Sequence, residues 1–127
     1  GQQTIPGGPL VFYDTPLVSG TFITHQPGSS DIDISQPGIY QAVFQGTVSV
    51  NPGTQIPASL MVRMLLNGYD VIGSTVRHTF SASTEVATLS FHVPFQVSAT
   101  PSIIQVITDQ DGFTVDDLSM TVLRLGD

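Results

Sequence analysis

The stretch from Gly38 to Val50, GIYQAVFQGTVSV, constrains this chain most. Tyr40, Ala42, Phe44, Gly46, Val48 and Val50 fall on one face, and Gln41, Gln45, Thr47 and Ser49 on the other. Side chains of a strand alternate with period two, so this pattern predicts a long strand with one buried and one mostly polar side. Pro37 and Gly38 punctuate its start, and Asn51, Pro52 and Gly53 its end. The polar side is expected to face solvent.

The rest of the chain has the same texture. Leu10–Tyr13 and Leu17–Thr24 read as short strands, and in Asp31–Ser35 Ile32 and Ile34 are expected to point inward. Ala58–Leu66 is a strand closed by Asn67-Gly68, a strong hairpin signal because a type I′ turn needs positive φ at both central residues. Further strands are expected at 69–72, 74–80, 86–97, 102–108 and 118–125. Pro94 cannot donate to a ladder, which predicts a bulge or a sheet edge in 86–97. The segment DQDGFTVDD, 109–117, reads as a loop. No stretch reads as a helix. Short strands separated by Gly, Pro, Asn and Asp turns predict an all-β, antiparallel sandwich or barrel.

Length suits one domain, with 10–127 as its body. Residues 1–9, GQQTIPGGP, lack a hydrophobic pattern and read as a neck, a linker or a remnant of cloning. Charged residues make up only 10%, there is no Lys, and the net charge is −7. Nucleic acid and anionic membranes require a basic footprint, so neither is an expected partner. No apolar run is long enough for a membrane helix. Without Cys, disulfides and thiolate metal sites are excluded.

Strands 58–66, 102–108 and 118–125 carry apolar residues on both faces. A sandwich strand usually wets one face. Together with the low charge, this predicts that a second apolar surface on these strands is a subunit interface.

The GIY at 38–40 resembles the start of the central strand in the complement globular-head and tumour necrosis factor-like superfamily. Ile32 stands where that superfamily has an aromatic, Ala42 where Phe is usual, and Phe44 follows two positions later. A closer resemblance, over about Asp31–Leu125, is to the C-terminal domain of the collagen-like glycoproteins of bacterial spore surfaces (BclA type). It rests on the order of the GIY strand, LLNGYDVIGST, ATPSIIQVI and the last strand SMTVLRL. The resemblance implies a ten-stranded, TNF-like jelly roll that forms a homotrimer. It also implies a cap on a collagen-like stalk in the hair-like nap of an exosporium, hence an extracellular, spore-surface location and a structural role without catalysis. On that reading the trimer contact is expected at Leu60, Val62, Met64, Ile104, Val106, Met120 and Val122. The alternative is an adhesin-type or lectin-like head that docks a host protein or glycan through its loop tips.

Candidate ligand sites are few. Asp109, Asp111, Asp116 and Asp117 offer hard oxygen donors suited to Ca²⁺, the one cofactor considered. They do not fit the EF-hand spacing: with Gly112 as its glycine, the first and last positions fall on Ile107 and Leu118. His25, His78 and His92 are far apart in sequence, although a three-fold axis would bring copies of one together. Glu85 is the single Glu, and no nucleophile elbow or phosphate loop appears, so no enzymatic activity is expected. There is no Trp, and Tyr13, Tyr40 and Tyr69 are accounted for by strand positions, which weighs against a glycan platform.

Overall fold

The computed structural model describes residues 1–13, 17–18 and 22–127. Among them the chain is all-β, with eleven strands: β1 Gln2–Gln3, β2 Leu17–Val18, β3 Ile23–His25, β4 Ile32–Ile34, β5 Gly38–Val50, β6 Ala58–Leu66, β7 Tyr69–Asp70, β8 Val76–Phe80, β9 Val86–Val97, β10 Ser102–Thr108 and β11 Phe113–Gly126. The first sheet runs β1-β11-β5-β9, with β2 also against β11. The second runs β3-β4-β10-β6-β7, with β8 also against β6. Every pairing is antiparallel except the short β2–β11 contact.

β5 is the centre of the first sheet and has the bounds its periodicity predicts. It pairs along its length with β9 on one side and β11 on the other. Its inward residues meet aromatic partners directly across the ladder: Phe44 stacks on Phe91 at 5.1 Å, and Tyr40 on Phe95 at 5.8 Å. Such cross-strand aromatic pairs add to the burial of each ring. Phe80 of β8 meets Phe113 of β11 at 5.4 Å, so side chains from both sheets enclose one apolar core, as in a β-sandwich.

The hairpin after β6 has Asn67 at φ 51° and Gly68 at φ 85°, as its turn type requires. Pro94 sits on an edge: among the described residues β9 pairs only with β5, in unbroken register from Val97 to Val86. Ile32 and Ile34 are buried, as their alternation with Asp predicts.

Residues 1–9, read as a neck, a linker or a remnant of cloning, pair with the body of the domain, and two expectations need correction. Gln2 and Gln3 pair with Val115 and Thr114, Thr4 is buried, and the Gly7 amide donates to the Thr108 carbonyl at 2.9 Å. Leu10–Tyr13 forms one isolated bridge, Phe12 to Ser29, rather than a strand, although Leu10 and Phe12 are buried. β11 begins at Phe113, so 113–117 belongs to a strand and not to the preceding loop. The expected strand 17–24 lies partly outside the described residues.

The interface assignment also changes. Leu60, Val62, Met64, Ile104, Val106, Met120 and Val122 are each 4% exposed or less and belong to the chain's own core. A strand apolar on both faces buries one of them against the opposite sheet, and alternation alone does not say which. On β10 the other face is not wholly exposed, since Ile107 is buried, and the strand's edge pairs with Pro9 and Leu10, whose amide donates to the Val106 carbonyl.

Candidate functional site

The most distinctive surface is the outer face of β11, β5 and β9, built from the residues that alternate with the core. Register places them in six rows of three. The central rows are Ser119–Gln45–Ser90, Thr121–Val43–His92 and Leu123–Gln41–Pro94. Gly126–Ile39–Gln96 lies at one end, and Asp116–Thr47–Thr88 and Thr114–Ser49–Val86 at the other. Val43 is 40% exposed and Val86 62%, while Ile39 and Leu123 are half-buried.

Of these eighteen positions only Asp116 carries a carboxylate, and its Oδ1 lies 3.1 Å from the Gly1 amino group. None carries Arg. Arg63 and Arg77 sit on the second sheet, where Arg63 pairs with Asp70 at 2.8 Å and Arg77 reaches the Met61 sulfur at 3.4 Å. The Arg124 guanidinium lies 5.6 Å over the Phe22 ring and donates to the Pro37 carbonyl at 2.9 Å. A chain of net charge −7 thus keeps one broad face nearly free of charge. At about 3.3 Å per residue and 4.8 Å between strands, that face measures roughly 40 by 14 Å. Its area of about 600 Å² approaches the ~800 Å² per partner of a standard interface.

His92 stands in the middle row beside Val43, and its ring Nε2 is hydrogen-bonded to the Gln41 amide. The other two histidines are engaged elsewhere. His25 Nε2 lies 3.0 Å from the Ser29 carbonyl, and His78 Nε2 lies 2.6 Å from Glu85 Oε2. Glu85 also accepts from the Ser81 amide at 2.8 Å. That backbone bond, then the His78 bond, hold the Glu85 carboxyl below its usual range.

The acidic residues singled out for Ca²⁺ do not converge. Asp109 Oδ1 accepts from the Met61 amide at 2.8 Å and fastens the end of β10 to β6. Asp116 is three residues into β11, about 10 Å along the strand from Phe113. Asp117 sits at a β-bulge with φ 52°, where β11 carries one more residue than β5 between Asp116 and Ser119. Among the described residues no three His, Asp or Glu side chains form a group able to hold a metal ion.

A second feature lies at one end of the sheets. An open cleft of about 550 Å³ is lined by Leu66, Tyr69, Val71, Ile72, Pro94 and Phe95, among others. Tyr69 is 79% exposed and Ile72 95%, so the strand position of Tyr69 does not account for its ring. Tyr13 is likewise exposed, whereas Tyr40 is buried. Comparison with protein-family models and with curated proteins found no match for this chain.

Proposed function

We propose that this domain is a non-catalytic, self-associating head: a homotrimeric jelly roll that caps a collagen-like stalk on an extracellular surface, the bacterial spore exosporium. The observation that carries self-association is the nearly charge-free outer face of β11, β5 and β9. Copies that each carry −7 repel one another except where they present no charge. That face also offers Ile39, Val43 and Leu123 for burial, at about 25 cal/mol per Å² of apolar surface. The jelly-roll reading is supported by the path of the chain, which alternates between the sheets from β4 through β5, β6, β9, β10 and β11. The number three, the stalk and the spore surface come from the sequence resemblance. In this reading the partners pack on the outward rows around Val43, not on the core residues around Leu60. A head so assembled brings three chain ends together, which sets the register of a triple helix. Light scattering at micromolar concentration tests it: the mass expected is three times that of the 13.5 kDa chain, and a stable monomer rejects it.

The cleft beside Tyr69 and Ile72 favours a second reading, a binding head for a glycan or host protein. An exposed aromatic ring next to an apolar recess is a common platform for either. A glycan array that gives a signal lost in Tyr69→Ala supports it, and an array without signal removes the glycan branch.

A further inference from the structure

We propose that His92 makes the self-association of this chain acid-sensitive, so that the assembly is stable at neutral pH and comes apart under mild acid. This rests on the reading of the β11, β5 and β9 face as the surface where copies meet.

His92 is the one basic side chain in the six rows of that face, and it occupies a central row, exposed, across from Val43. On its own strand the outward neighbours are Ser90 and Pro94. On β5 they are Gln41, Val43 and Gln45, and on β11 beyond them Ser119, Thr121 and Leu123. None of these titrates. The carboxylate of the face, Asp116, belongs to the Thr47–Thr88 row. Thr88 is four residues from His92, about 13 Å along the strand, and Asp116 is two strands further across. That separation exceeds the ~8 Å Debye length at physiological salt. Glu85, immediately before β9, is engaged by His78 and the Ser81 amide.

Among the described residues, a proton on His92 therefore finds no counter-charge beside it on this face. In the free chain, water solvates the imidazolium. In the assembly, the charge is taken out of water among apolar and amide groups, and equivalent charges from other copies are added, which disfavours the charged form. The assembled state thus binds fewer protons than the free chains. Its dissociation constant rises as the medium is acidified, by up to tenfold per pH unit for each imidazole excluded.

The test is sedimentation velocity of the wild-type chain and of His92→Gln and His92→Arg at pH 8 and pH 5, with far-UV circular dichroism at each pH. The expected result is a wild-type chain that is associated at pH 8 and dissociated at pH 5 with its strand signal intact. Whatever its own affinity, His92→Gln holds its dissociation constant within about threefold between the two pH values, and His92→Arg is dissociated at both. Wild-type protein equally associated at pH 5 overturns the switch and leaves the association surface standing. So does a His92→Gln chain that responds to acid as the wild type does. Wild-type protein that is monomeric at pH 8 overturns the surface itself, and the switch with it.

Discussion

Ser74 Oγ lies 2.9 Å from the Met64 amide and takes the hydrogen bond that a neighbouring strand would otherwise take. β7 has ended at Asp70 and β8 does not begin until Val76, so β6 would leave that amide unpaired at a buried position. The Ser74 hydroxyl is itself fully buried and donates to the Val71 carbonyl at 2.7 Å. Ser74→Ala leaves a buried N–H without a partner, at a cost of about 1–3 kcal/mol. Urea unfolding checks this: the midpoint falls while the slope stays constant.

Gly46 faces the bulge of β11. A Cβ built on it would stand 3.1 Å from both Leu118 and Val115, so the glycine makes room for Leu118 to fold inward. Two effects compete on substitution. A methyl group lowers the entropy of the unfolded chain, worth about 0.4–1 kcal/mol, against contacts that flexible side-chain tips can partly relieve. Gly46→Ala is therefore expected within about 1 kcal/mol of wild type. Gly46→Val adds two more carbons to a filled site and is expected to cost about 1–3 kcal/mol. Equal stability of the two variants by thermal melting contradicts this packing account.

Glu85 gives stability a distinct pH dependence. The Ser81 amide first, and His78 second, hold its carboxyl below the usual value of 4.5. A lowered folded-state pKa means that the contribution is complete above the unfolded value and lost as pH falls through the folded one. The melting temperature of Glu85→Gln should therefore lie below wild type at pH 6, and the two should converge as pH drops below about 4.5. A gap that stays constant down to pH 2.5 would show that the carboxylate charge is not its source.

Much of this architecture is legible in the residues. β5 declares itself because its alternation is bracketed by turn residues at both ends, and the β6–β7 hairpin because Asn67-Gly68 has few other uses. The start of β11 is obscured by composition. Asp109, Asp111 and Gly112 suggest a loop, yet Phe113, Thr114, Val115 and Asp116 already alternate inward and outward. The pair Asp116-Asp117 looks like a loop because it occupies a bulge. The inside of β6, β10 and the second half of β11 was not decidable from period two, since both parities are apolar there. The outer face of β5 did carry a signal: Ile39 and Val43 interrupt the series Gln41, Gln45, Thr47 and Ser49. A face read as the wet side holds, in its central row, the exposed Val43 beside His92. Which strands flank it, and hence that the neutral residues of three strands form one surface, depends on pairings far apart in sequence.

If copies of this chain meet on the face centred on Val43, a charge at that position separates them. Sedimentation equilibrium of wild type and Val43→Arg at neutral pH tests it most directly, because Val43 is 40% exposed and an Arg there fits a folded monomer. The expected result is a wild-type mass of three times 13.5 kDa and a variant mass of one chain with an unchanged circular dichroism spectrum. A wild-type chain of single mass at micromolar concentration, or a Val43→Arg chain that associates as fully as the wild type, would contradict it.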